Sequence, residues 1–126
     1  MTELELKERF RVFSIRIVKM VNAMPQTISS IAIAKQVVRS GTSPYANYRA
    51  ACLGKSDKDF LNKLKMVEEE LDETGQWLDI IIATETLPQQ RVQALYDESQ
   101  ELQKIIAKSI LTMKSKLCEF PLPPKK

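Results

Sequence analysis

Apolar residues recur at steps of three and four through four long stretches of this chain, and that spacing leaves little choice of fold. Phe10, Phe13, Ile17, Met20, Val21 and Met24 paint one face of a helix running from about Leu4 to Ala23. Pro25 ends it, because a residue before proline avoids the helical region. A second segment spans about Ile28 to Leu53, with Thr27 or Ser29 placed to cap it. Gly54 suits a left-handed C-terminal position, and Ser56, with Asp59 three residues on, starts the next helix. The third segment, about Asp57 to Thr84, carries two stripes. Phe60, Leu64, Val67, Leu71, Leu78 and Ile82 form a core stripe, with Lys63, Met66, Glu70, Glu73, Trp77 and Ile80 beside it. Leu87-Pro88 separates it from a fourth segment, about Gln89 to Leu117, whose inward set is Val92, Leu95, Leu102, Ile106, Ile110, Met113 and Leu117. Connections this short join antiparallel neighbours. The expectation is an all-α, up-down-up-down four-helix bundle over residues 1–117, followed by a flexible Pro/Lys tail at 118–126, EFPLPPKK at its end.

One stretch inside the second segment resists this reading. RSGTSPYANYR, residues 39–49, packs a Gly, three hydroxyls and a Pro into five positions, which ordinarily marks a turn. As helix, it aligns Ser40, Ser43, Asn47, Ala51 and Gly54 as a stripe of small residues that lets a partner helix come close. Pro44 lacks an N–H and crowds the Ser40 carbonyl, so a bent helix is expected. The alternative is a break, with Ser43 as N-cap of a new helix.

The composition closes off most chemistry. There is no His among 126 residues, which removes the commonest general base and metal ligand. Cys52 and Cys118 have no CxxC spacing, so they read as two semi-buried thiols in a reducing cytosol. Glu68, Glu69, Glu70, Asp72 and Glu73 are dense, but a di-metal bundle needs Glu-x-x-His pairs on facing helices. Ser40, Thr42 and Ser43 lack a base, and RSGTS has neither the strand nor the Lys of a phosphate loop. No catalytic residue, metal site or cofactor is expected. The start, MTELELKERF, has no apolar signal core, and no apolar run is long enough to span a membrane. The reading is a cytoplasmic, bacterial-type protein.

Charge is uneven. Residues 1–66 hold twelve Lys/Arg against five Asp/Glu, and residues 67–126 hold seven against eleven, giving +7 and −4 for a net +3. Arg9, Arg11, Arg16, Lys19, Arg49, Lys55 and Lys58 are the candidate nucleic-acid contacts, acting on phosphates without base readout. Folding helices two and three back about residue 55 sets position 39 near 71 and 47 near 63. Arg39, Ser43, Asn47, Lys63, Glu70 and Glu73 therefore form a candidate structural network. In it Arg39 meets Glu70 or Glu73, and Asn47 meets Lys63.

The run from Arg39 to Ile81 closely resembles the four-helix-bundle proteins encoded in intervening sequences of bacterial large-subunit ribosomal RNA genes. The matching residues are Arg39 to Ser43, Ala46 to Arg49, Ser56, Asp59, Phe60, Lys63, Glu69, Glu70, Glu73, Thr74, Trp77 and Leu78. Pro44-Tyr45 stands where the family usually has a small aliphatic residue and Gly, and Ala50 replaces a usual Glu. The resemblance implies a ring-forming homopentamer with no established enzyme activity, and places Trp77 at a subunit interface or its edge. A related bundle, the accessory protein of diversity-generating retroelements, binds a reverse transcriptase and nucleic acid, which supplies an analogy. The functional expectation is a non-enzymatic assembly or adaptor protein that binds RNA or DNA through a basic face. The alternative is a protein-interaction scaffold with no nucleic-acid affinity.

Overall fold

A computed structural model describes residues 1–118 as four helices: α1 (Glu3–Asn22), α2 (Ile28–Cys52), α3 (Asp57–Ala83) and α4 (Gln89–Cys118). Residues 119–126, most of the expected tail, lie outside the described residues. Side-chain oxygens start three of the helices. Thr2 accepts from the Glu5 backbone N–H while the Glu5 side chain accepts from Thr2, a reciprocal cap that the apolar spacing alone did not reveal. Thr27 caps α2 and Ser56 caps α3 in the same one-way fashion.

Side-chain contacts fix the pairing. Phe10 lies against Tyr48 (ring centroids 5.2 Å apart), and Ile17 faces Gly41, so α1 and α2 run antiparallel. Arg39 and Ser40 meet Glu70, Glu73 and Thr74 across α2 and α3. Asp72 meets Gln103, and Asp57 meets Lys116, across α3 and α4. Arg9 meets Glu98 across α1 and α4. The core between them holds Phe10, Phe13, Ile17, Leu64, Leu71, Leu78, Ile81, Leu102 and Ile106, all almost fully buried. Neighbouring helices in the chain make most of the interhelix contact, and α1 with α4 makes the least.

Helix α2 runs through Pro44 as one element, with no break at Ser43. The small-residue stripe is only partly the buried face. Val37, Ser40, Gly41, Pro44, Tyr48 and Ala51 are buried, while Ser43 and Asn47 are half-buried and Gly54 is exposed. Gly41 serves proximity: a Cβ there would stand 2.8 Å from both Cγ atoms of Ile17.

Three sequence expectations shift. In α3 the buried positions are Leu61, Leu64, Val67, Leu71, Thr74, Gly75, Leu78 and Ile81, whereas Phe60 and Ile82 only flank them. A face stepping by threes and fours admits either end residue, and the tighter choice wins where α3 packs on two neighbours at once. Val21 and Leu117 likewise border the core instead of entering it. Gly54 does not take the left-handed conformation, for no glycine has positive φ. The helix ends at Leu53 with φ −94°, and the left-handed residue is Glu85 (φ 55°) in the α3–α4 turn.

Candidate nucleic-acid interface and the interhelix polar network

The polar network of α2 and α3 centres on Arg39. Its Nη1 donates to Glu70 Oε1 at 3.0 Å, and its Nη2 donates to Glu73 Oε2. Trp77 Nε1 also donates to Glu73 Oε2, at 3.2 Å, so the half-buried indole is tied to the same carboxylate. Arg39 chiefly holds the Glu73 carboxyl below the ordinary carboxylate range; burial opposes it, and the Trp77 bond adds a lesser lowering. The Arg39 side chain is half exposed, so the clasp sits on the surface. Beneath it, the buried hydroxyls of Ser40 and Thr74 lie 2.9 Å apart, and Thr74 also reaches the Glu70 carbonyl at 2.7 Å.

Asn47 does not join Lys63. Its Nδ2 donates within α2, to Ser43 Oγ at 2.9 Å and to the Ser43 carbonyl at 3.2 Å. A partner one turn away on the same helix needs no cross-helix reach, and that local bond wins. The third hydroxyl, Thr42, donates to the Val38 carbonyl at 2.7 Å. All three hydroxyls of the stretch are therefore committed to structure, and no base faces them. Burial pushes the Cys52 thiol above its usual range, which lowers its nucleophilicity. Among the described residues, no group of three or more His, Cys, Asp or Glu is placed to hold a metal ion.

The basic residues separate into two groups. Arg9 leaves the candidate nucleic-acid set: its Nε and Nη2 donate to the two Glu98 oxygens at 2.7 and 2.9 Å, a bidentate clasp between α1 and α4. Arg11 pairs with Glu8 at 3.3 Å on its own helix, and the Arg49 guanidinium lies 5.6 Å above the Tyr45 ring. Lys55 and Lys58 are exposed at the α2–α3 turn. Their neighbour Asp57 is drawn away to Lys116 at 3.1 Å. Arg16 and Lys19 line a cleft of about 240 Å³ between α1 and α4, together with Met20, Leu87, Leu95 and Arg91. Arg91 was not among the sequence candidates. It belongs to the acidic half of the chain, and only the pairing of the first helix with the last brings it beside Arg16.

The family described as 23S rRNA-intervening sequence protein matches residues 2–108. The chain belongs to this family. A solved structure described as a protein with unknown function from the S23 ribosomal protein family, from Bacteroides thetaiotaomicron VPI-5482, is similar to this chain. Identity is 32%, the match covers 87% of this chain and 98% of the other, and the TM-score is 0.80. Among curated proteins none matches. Neither description names an enzyme. Among the described residues, no helix is long and apolar enough to cross a membrane.

Proposed function

We propose that this family member is a non-enzymatic assembly protein that binds RNA or DNA through backbone phosphates. One observation carries the reading. The ion pairs that join one helix to another engage only three cations among the described residues: Glu98 holds Arg9, Glu70 and Glu73 hold Arg39, and Asp57 holds Lys116. Arg16, Lys19, Arg49, Lys55 and Lys58 are left at the surface without an ion pair among the described residues. Unneutralised cations spread over a rigid bundle attract phosphates irrespective of sequence.

Assembly into a ring, a homopentamer, would multiply such a patch. The outer side of α1 supports self-association: Val12, Ile15 and Val18 are each about two-fifths exposed at helical spacing. Light scattering is expected to give a mass near five subunits, and a stable monomer at micromolar concentration would remove the ring. Fluorescence anisotropy with labelled single-stranded RNA and mixed-sequence DNA tests the binding. Affinity should fall at least about tenfold between 50 and 200 mM salt and hardly change with sequence. An absence of binding at the lower salt would replace this reading with a scaffold that contacts protein alone.

A further inference from the structure

We propose that the α1–α4 cleft is a phosphate site in which Arg16, Lys19 and Arg91 grip one phosphate group of a nucleic-acid strand. The proposal deepens the nucleic-acid reading by giving it a location.

The register of the two helices carries the inference. Arg9 and Glu98 face each other across the seam and make a bidentate pair. Seven residues on from Arg9 is Arg16, and seven residues back from Glu98 is Arg91. In antiparallel helices those steps carry both chains the same way along the seam, about 10 Å or two turns. The position that holds an acid at the first contact therefore holds a second arginine at the next. Met20 and Leu87, one turn further, line the same cleft and hold the register.

Two arginines lining one cleft repel, and the cleft offers nothing to offset it. Its lining contains no carboxylate, and Lys19 adds a third cation. Neither Arg16, Lys19 nor Arg91 has an ion pair among the described residues. An anion between them converts one repulsion into several attractions. Guanidinium forks match the tetrahedral oxygens of phosphate, while Lys contributes a point charge. The floor is apolar: Met20, Leu87 and Leu95 are almost buried. That floor suits the sugar carried by a phosphodiester better than it suits a bare, hydrated ion. The chemistry recognised is a phosphate group, and two sources can supply it: a nucleic-acid strand or free phosphate.

The test separates the site from the general reading. Arg91→Glu rebuilds at the second contact the Arg–Glu pair of the first, so the variant should melt at or above the wild-type temperature. Its affinity for labelled single-stranded RNA at 50 mM salt should nevertheless fall at least tenfold. Arg16→Gln should give a loss in the same direction, and Lys55→Glu with Lys58→Glu a smaller one. In parallel, inorganic phosphate is titrated against the free protein while the arginine Nε–Hε resonances are followed by NMR. If the wild type binds RNA and both cleft variants keep that affinity, the site is overturned while the nucleic-acid reading stands. If RNA does not bind but phosphate shifts the Arg16 and Arg91 signals, and Arg91→Glu abolishes the Arg16 shift, the phosphate grip stands and the strand as its source falls. If neither ligand binds, both proposals fall.

Discussion

The seam between α2 and α3 and the seam between α1 and α4 are built from the same materials to opposite ends. Midway along α2–α3, polar groups meet their complements: Ser40 with Thr74 in the interior, Arg39 with Glu70 and Glu73 above. Along α1–α4, complement gives way to conflict: Arg9 meets Glu98, and two turns later Arg16 and Arg91 line one open cleft. A bundle needs each helix held by its neighbours, but not equally on all sides. α1 is held chiefly by α2, and that frees its other flank to carry uncompensated charge. The difference separates what holds the fold, the paired polar groups of one seam, from what the proposed phosphate site would use, the unpaired cations of the other.

The largest expected effect breaks the α2–α3 seam from inside. Thr74→Val leaves the Ser40 hydroxyl buried without its partner and should lower unfolding free energy by about 2 kcal/mol in a urea titration. Adding Ser40→Ala removes the orphaned group and should return most of that loss. Additive losses would show that the two hydroxyls are not a pair. At the open seam, Arg9→Ala strips Glu98 of its clasp. Glu98 keeps partial access to water, so the expected cost is smaller, about 1 kcal/mol. A neutral result would mean that α1 and α4 are not coupled through this contact.

The smallest effect sharpens the comparison by pH. Arg39 is half exposed, so Arg39→Ala should cost at most about 0.5 kcal/mol at neutral pH. Glu73 binds its proton more weakly folded than unfolded. Its contribution is therefore present above the ordinary carboxylate range and is lost as pH falls through the lowered value. The wild type should lose stability on acidification more steeply than Arg39→Ala, as seen in melting temperatures from pH 6 downward. Parallel curves for the two proteins would show that the surface clasp contributes nothing.

The helices were legible because each carries a redundant signal. Several apolar residues per face survive a one-position error, so taking Phe60 for Leu61 or Ile82 for Ile81 did not disturb the fold. The Arg39 contacts were legible too, since a short turn at Gly54 fixes the register of α2 on α3. Two kinds of feature were not. Asn47 could bond locally or across helices, and spacing does not rank those options. Arg91 sits 75 positions from Arg16, with two helices intervening. Nothing local in the sequence marks residues that meet only when the first helix closes against the last. The cation count correctly found an excess of charge but placed Arg9 within it, because counting does not distinguish a paired guanidinium from a free one.

Gly41 has a reach beyond its own contact. Ile17 seats in the space left by its absent side chain, and Ile17 is the residue next to Arg16 in the chain. Seating one fixes the roll of α1 about its long axis, and the roll determines where the other is displayed. The interior notch thus acts as a keyway: it sets the angle at which the outer charges are presented. A methyl group added at Gly41 would turn the helix and shift the half-buried Arg16 without touching it.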